Sequence, residues 1–211
     1  VIINGAMNVA QRGTSSTGIG ASDGYFVCDR WHISQSSTDG RLTMTQDSSA
    51  PSGFANSLKL DCTTADTSIA AGERLTLQQR IEGQNLQGFA KGTSDAKPFA
   101  VSFYVKGNAS ATYVCEIYDN NNTRQISKTF SVTTDWTRIK LSFPADTTGS
   151  FNDANTTSMF FNIHLHAGSN FTSGTLNSSS WASVTTANRI AGISSFFDST
   201  DRTFFITGVQ L

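Results

Sequence analysis

Hydrophobic and polar residues alternate with a period of two along much of the chain. In the segment "FAVSFYVKG", residues 99–107, the side chains of Phe99, Val101, Phe103 and Val105 fall on one side, and polar or small side chains fall between them. This pattern predicts a half-buried β-strand. The same alternation predicts further strands at residues 58–62, 75–81, 113–117, 126–132, 137–143 and 159–165.

The segments between these strands predict how the strands are arranged. "YDNNNTR" predicts a hairpin with its tip at Asn120 to Asn122, because Asn tolerates the left-handed backbone of a tight turn. Helical periodicity is absent apart from one short turn at residues 83–89, so parallel crossovers are not expected. We therefore predict an all-β, antiparallel jelly-roll sandwich with little helix, forming one domain over residues 1–211. Its Gly- and Ser-rich N-terminal third is expected to be looser, with long loops.

Charge and cysteine content narrow the class of protein. The chain contains 15 Lys and Arg residues and 16 Asp and Glu residues. The resulting net charge of -1 gives no reason to expect nucleic acid as a partner. No apolar run approaches the roughly 18 residues of a membrane span, and no leader peptide is recognisable at Val1. Cys28, Cys62 and Cys115 are odd in number and far apart, which favours buried free thiols over disulfides or a zinc site.

No catalytic or cofactor motif is convincing. "GASDG", residues 20–24, matches the literal G-x-S-x-G motif of a hydrolase, but its flanks lack the strand and helix that such a nucleophile elbow needs. The acidic residues are scattered in turns, and no nucleotide-binding fingerprint occurs. We expect a protein that is not an enzyme and needs no cofactor or metal.

Aromatic and amide side chains are the best candidates for ligand contacts. A sugar ring stacks on an aromatic plane, and its hydroxyl groups need polar partners. Trp181 lies in "NSSSWASVTT" with no obvious core to enter, while Trp31 and Trp136 stand at strand entrances where packing is the commoner role. His164 and His166 are spaced to share one strand face. The candidate ligand-binding residues are Trp181, Tyr118, Asn120, Asn121, His164 and His166; for Trp181, packing within a loop is the alternative.

The order of several motifs resembles a family of bacteriophage tail-fibre and other virion proteins that carry a carbohydrate-binding-module-like jelly roll. The motifs include "NGAMNVAQRGTS", "IEGQNLQGF", "AKPFAVSFYVKG", "DWTRIKLSFPADTTGSF" and "FFITGVQL", and they run from Asn4 to Leu211. The resemblance implies that the chain is part of a longer virion protein and continues past Leu211. It also implies a virion location after assembly in the host cytoplasm, other virion proteins and host surface polysaccharide as partners, and a homotrimer. No membrane insertion is expected.

The resemblance also bears on calcium. Many jelly rolls of this kind hold a structural calcium ion through acidic residues near the first and last strands. The matching stretches here read "GAMN" at residues 5–8 and "ITGV" at residues 206–209, without a carboxylate in either. Calcium needs six or more oxygen ligands, so no calcium ion is expected at that place.

Three functions remain open at this stage. The first is a tail-fibre or tail-associated domain that recognises a host surface glycan, strengthened by multivalency. The second is a capsid decoration, cement or head-fibre protein that binds no glycan. The third is the binding module of a secreted glycoside hydrolase. A cement protein is expected to bury Trp181 against a neighbouring subunit, whereas a glycan-binding module is expected to leave it in an open groove.

Overall fold

The computed structural model of the protein describes all 211 residues and contains two antiparallel β-sheets packed face to face. The thirteen strands are β1 Ser15–Ile19, β2 Gly24–Tyr25, β3 His32–Ser36, β4 Arg41–Asp47, β5 Ser57–Thr64, β6 Arg74–Glu82, β7 Phe99–Gly107, β8 Ala111–Asp119, β9 Arg124–Val132, β10 Thr137–Phe143, β11 Thr157–Ala167, β12 Ala182–Ser183 and β13 Thr203–Gln210. The six-stranded sheet has the order β1-β4-β5-β13-β7-β10, and the seven-stranded sheet has the order β12-β9-β8-β11-β6-β3-β2. The predicted antiparallel β-sandwich is confirmed.

Helical structure is confined to short turns. Helix α1 spans only Ser169–Thr172, and single 3₁₀ turns occupy Gly83–Asn85, Gln87–Phe89 and Thr186–Asn188. The first two of these turns fall within the helical segment predicted at residues 83–89, which is therefore confirmed. None of the helices has the length and apolar character needed to cross a membrane.

The core lies between the two sheets and follows the predicted alternation. It is one cluster of 37 buried residues, including Val101, Phe103 and Val105 of β7. Trp31 is fully buried in this cluster, in agreement with the packing role expected for it. The three cysteines are buried and unpaired, as predicted.

The hairpin prediction is confirmed. The N-terminal third contains long loops, as predicted, at residues 1–14 and 48–56, but the prediction that its Gly/Ser-rich stretch is also a loop is wrong. Strands β8 and β9 pair from Ala111↔Val132 to Asp119↔Arg124, which leaves the Asn-rich tip outside the ladder. The N-terminal third contains β1, β3 and β4, and β1 lies inside the Gly/Ser-rich stretch that was expected to be a loop. Strand β1 is a polar edge strand, with four of its five residues at least partly exposed, and so lacks the apolar alternation that reveals a strand in sequence.

Candidate ligand-binding groove

A groove of about 240 Å³ opens on the outward face of the seven-stranded sheet. Its floor is made by the neighbouring strands β8, β11, β6 and β3 in the middle of that sheet. Side chains of successive strand residues point to opposite faces, so each of these strands sends its core residues inward and its polar residues into the groove. The lining consists of Ser34, Arg74, Thr76, Gln78, Arg80, Tyr118, Asn120, Phe160, Asn162, His164 and Arg189.

Strand register brings the polar residues of the floor into one row. Asn162 of β11 pairs with Glu116 of β8 on one side and with Gln78 of β6 on the other. Two residues earlier on β11, Phe160 pairs with Tyr118 of β8 and with Arg80 of β6. The side chains at such paired positions are neighbours on the same face of the sheet. The groove is therefore built from positions that the sheet holds in fixed register.

Glu116 is the centre of the hydrogen-bond network beneath the groove. Its carboxylate is fully buried and accepts two hydrogen bonds from Arg189, from Nε at 2.7 Å and from Nη2 at 2.8 Å. Asn162 Nδ2 donates to the same carboxylate at 2.9 Å, and His164 Nε2 lies 2.9 Å from it. Arg189 lies in the loop after β12, and its two parallel hydrogen bonds to Glu116 hold this loop against the outer face of the sheet.

The ionisation states follow from burial and from these contacts. Burial acts to raise the pKa of Glu116, but the charge and hydrogen bonds of Arg189, with a further contribution from His164, hold that pKa well below its ordinary value. Burial lowers the pKa of His164, although its contact with Glu116 acts in the opposite direction. At neutral pH the floor therefore holds an ionised Glu116 and a neutral His164 imidazole.

A second row of contacts extends the network toward Arg80. Gln78 Nε2 donates to Asn162 Oδ1 at 2.8 Å, and Arg80 Nε donates to Gln78 Oε1 at 3.1 Å. The Arg80 guanidinium also stands 6.0 Å from the centre of the Phe160 ring. These contacts orient the amide groups before any ligand arrives, which lowers the entropy cost of binding.

Two aromatic rings give the groove an apolar wall. Tyr118 and Phe160 are half-buried neighbours whose ring centres lie 5.9 Å apart. The Arg189 guanidinium stacks over the Tyr118 ring at 4.9 Å. Both the apolar face needed for a sugar ring and the polar partners needed for its hydroxyl groups are present in one groove.

The groove carries an excess of positive charge. Arg74, Arg80 and Arg189 line it, and two carboxylates lie near them: Glu116 beneath the floor, paired with Arg189, and Asp23, whose charge also acts on Arg74. Glu116 neutralises Arg189, which leaves two guanidinium groups without a paired carboxylate. The buried Nε of Arg74 has no hydrogen-bond partner in the protein. The chain as a whole has a net charge of -1, so this positive charge is a local feature.

The structure brings three of the six predicted ligand-binding residues together. Tyr118, Asn120 and His164 line the groove. Asn121 lies outside it at the hairpin tip, where its Oδ1 accepts a hydrogen bond from the backbone N–H of Asn152 at 3.2 Å. Whether any of these residues contacts a glycan remains a prediction.

Trp181 is buried away from the groove, and the expectation that it has no core to enter is wrong. Its side chain packs near Phe99, with ring centres 6.4 Å apart, and only 8% of the residue is exposed. The indole N–H donates to the carbonyl of Pro144 at 2.9 Å. The stretch around Trp181 is polar because it crosses the surface, but the indole itself enters the edge of the core.

His166 does not share a face with His164, as the sequence spacing had suggested. An irregularity in the pairing of β11 with β6 falls between them, since His164 pairs with Thr76 whereas His166 pairs with Leu75. This bulge places His166, which has no exposed surface, against Glu73 and Ser195. A β-bulge inserts one extra residue and re-aims the side chains that follow it, which simple alternation cannot anticipate.

Sequence reasoning missed the charged members of the groove. Arg80 and Glu116 lie within predicted strands and Arg74 directly precedes one, but the alternation that predicts these strands concerns their apolar residues only. The signal that was available is the polar residue at every second position of three strands, at 74, 76, 78 and 80, at 116 and 118, and at 162 and 164. Arg189 carries no such signal, because it lies in a loop far from β8 in sequence.

Comparisons with known proteins support the fold. No protein-family model matches the chain, and no curated protein matches it significantly. Among solved structures, one described as "CBM4 structure and function" is similar over 100% of this chain and 97% of its own, with a TM-score of 0.50 and 13% identity. A family 11 carbohydrate-binding module from Clostridium thermocellum covers 92% of both chains, with a TM-score of 0.42 and 10% identity. A bacteriophage CBA120 tailspike protein matches 86% of this chain but only 19% of its own, with a TM-score of 0.43 and 14% identity.

The first of these similarities, with a TM-score of 0.50, supports the observed architecture, a jelly-roll β-sandwich of the carbohydrate-binding-module type. Identities of 13% and below in the two modules describe a shared fold and carry no assignment of ligand. What the groove binds has to be argued from its own side chains.

Proposed function

We propose that the protein is a non-catalytic glycan-binding domain whose groove binds a polysaccharide bearing acidic groups. The observation that supports this most directly is the pair of arginines, Arg74 and Arg80, that face an open polar groove without a carboxylate partner. Arginine forms forked hydrogen bonds with carboxylate, sulfate and phosphate groups, each of which occurs on acidic sugars. A neutral ligand would leave this local charge uncompensated.

The remaining lining supports a sugar over a small inorganic anion. Gln78 and Asn162 present amide groups that are already oriented by the network around Glu116. Tyr118 and Phe160 supply aromatic surface beside them. Sugar binding needs this mixture of hydroxyl partners and apolar wall, whereas an isolated phosphate or sulfate needs donors alone.

The proposed biological setting is the surface of a bacteriophage tail. The order of motifs along the chain supports a bacteriophage tail-fibre or tail-associated domain that meets a polysaccharide on the host surface. A binding module attached to a glycoside hydrolase would use the same groove and fits the fold equally well. The buried Trp181 does not distinguish a cement protein from either, because it packs within its own chain and not against a neighbour.

Binding to defined polysaccharides tests the groove. Polygalacturonate and alginate serve as acidic probes, and laminarin serves as a neutral one, with affinity measured by calorimetry at two salt concentrations. We expect the acidic polymers to bind, Arg80→Gln to weaken binding by about tenfold or more, and salt to weaken it further. Arg138→Gln is the matched control, since Arg138 lies on the outward side of the other sheet, over Tyr104.

The outcomes separate the alternatives. Equal affinity for laminarin, unchanged by Arg80→Gln, would contradict the acidic ligand but keep a glycan-binding domain. The decoration function would be favoured if the protein bound none of the polysaccharides and if a labelled, trimerised form of it also failed to bind intact host cells.

A further inference from the structure

A second cluster of ionisable side chains lies near the groove but beneath the surface. Asp66, Glu73 and His166 each offer one ligand atom, and these atoms lie within 4.8 Å of one another. All three residues are buried, with exposed fractions of 5%, 3% and 0%. His166 Nε2 lies 3.2 Å from Glu73 Oε2.

The charges within this cluster do not balance. It contains two carboxylates, and the imidazole of His166 is their only neighbour that can carry positive charge, since no Lys or Arg forms an ion pair with Asp66 or Glu73. Asp66 Oδ2 accepts hydrogen bonds from Thr38 Oγ1 and from the backbone N–H of Asp39, both at 3.0 Å. Asp66 and Glu73 also lie within hydrogen-bonding reach of each other, and two buried carboxylates in such a position need either a shared proton or a bound cation to compensate them.

We propose that Asp66, Glu73 and His166 form a binding site for a divalent transition-metal ion, with Zn²⁺ or Mn²⁺ as the favoured occupants. Two carboxylate oxygens and one imidazole nitrogen are a ligand set used for these ions. Calcium is disfavoured because it selects six to eight oxygen ligands and the cluster offers a nitrogen in their place. Ligands of a tetrahedral zinc ion lie roughly 3.4 Å apart, given bonds of about 2.1 Å, so small side-chain rotations close the site.

The surrounding contacts resemble the outer shell of a metal site. His166 Nδ1 lies 2.8 Å from Ser195 Oγ, which leaves Nε2 on the side of the carboxylates. Ser195 Oγ also accepts a hydrogen bond from the backbone N–H of Phe197 at 3.0 Å, which holds the hydroxyl group in place. A partner on the second ring nitrogen fixes the orientation of a metal-bound imidazole. Asp66 has the corresponding support from Thr38 and Asp39.

A metal at this position would tie together segments that are distant in sequence. Asp66 lies in the loop between β5 and β6, Glu73 immediately precedes β6, and His166 is near the end of β11. The spacings of seven and 93 residues match no zinc motif, so the site is not recognisable in the sequence. Glu73 directly precedes Arg74 of the groove, and His166 lies on β11 with His164 of the groove, so the ion would stabilise one end of the groove.

Metal content and titration test the proposal. The purified protein is treated with a chelator and then titrated with Zn²⁺, Mn²⁺, Co²⁺ and Ca²⁺, by calorimetry and by the visible absorption of Co²⁺. We expect one equivalent of transition metal per chain, a rise in melting temperature, and no comparable response to Ca²⁺. Asp66→Asn and Glu73→Gln, which keep side-chain shape, are expected to lower affinity at least tenfold; Glu82→Gln, at the opposite end of β6, is the matched control.

Ser195→Ala provides an independent variant in case the ligand variants fold poorly. It retains all three ligands, and loss of an outer-shell partner is expected to weaken metal binding by roughly 10- to 100-fold. Failure of the wild-type protein to bind any of the transition metals, together with unchanged or increased stability of Asp66→Asn, would overturn the proposal. That result would indicate a proton shared between the two carboxylates. Glycan binding by the groove does not enter either measurement, so the two proposals fail separately.

Discussion

Two buried ionic networks lie close together in this protein: one lies under the groove of about 240 Å³, and the other borders a pocket of only about 10 Å³. The network around Glu116 sits under the groove and includes Arg189. The other network joins Lys91 and Arg124 to the carboxylates of Asp119 and Asp146, near Trp181. Strand β8 contributes to both, since Glu116 and Asp119 are three residues apart on it.

The networks differ in what remains for a ligand. Lys91 Nζ bonds to Asp119 at 2.5 Å, to Asp146 at 3.1 Å and to the carbonyl groups of residues 148 and 149 at 2.9 and 2.7 Å. An ammonium group has three protons, so these four acceptors leave it nothing to offer. Arg80, by contrast, has donors beyond those that contact Gln78 and His32. The comparison teaches that the number of donors left free, more than the presence of buried charge, separates a binding network from a structural one.

Lys91→Met should separate the two networks most strongly. The substitution removes the cation that pairs with the buried carboxylates of Asp119 and Asp146. We therefore expect the free energy of unfolding to fall by about 3–5 kcal/mol. Urea denaturation measures this loss. Glycan affinity of the folded fraction should stay unchanged, and Lys97→Met, at an exposed lysine without an ion pair, should alter neither quantity. A loss of affinity in Lys91→Met would show that the two networks are coupled.

Acid should weaken the Glu116 network through a defined mechanism. The pKa of Glu116 in the folded protein is held below its ordinary value of 4.5. A carboxyl group of this kind contributes stability above its unfolded pKa, and that contribution is lost as the pH falls through the folded value. We therefore expect the free energy of unfolding to decline below about pH 4.5. Glu116→Gln should show a shallower decline over the same range, in parallel urea titrations at each pH; identical slopes would contradict the assignment.

Trp181→Phe and Tyr118→Ala should give opposite results, although both residues were predicted as ligand contacts. Trp181→Phe removes the hydrogen bond to Pro144 and should cost about 1–2 kcal/mol of stability with no effect on glycan binding. Tyr118→Ala removes half-exposed aromatic surface from the groove and should weaken glycan binding about three- to tenfold with little change in stability. Thermal melting and calorimetry on both variants give the comparison. Reduced glycan affinity in Trp181→Phe would restore it as a ligand contact.

These residues also show how far sequence reasoning reaches. The alternation in Phe99 to Val105 revealed both the strand and its buried face, because a period of two is imposed by backbone geometry. The placement of His164 in the groove followed from the same rule. His166 escaped it because a bulge intervenes, and Trp181 escaped it because a loop can bury one side chain without any periodicity. Arg189 reaches Glu116 across 73 residues, a contact that only the tertiary fold creates.

The position of the groove has a consequence for how such a domain could change its ligand over evolutionary time. Its floor is carried by β8, β11, β6 and β3, four adjacent strands in the interior of the sheet. An inserted or deleted residue in such a strand would turn every following side chain to the opposite face. New specificity on this floor must therefore arise by exchange of one side chain at a time. Arg189 is the exception, because the loop that carries it tolerates changes of length. Insertions and deletions that change the ligand are therefore expected mainly in the loop that carries Arg189. On the floor of the groove, changes of specificity are expected to come from point substitutions.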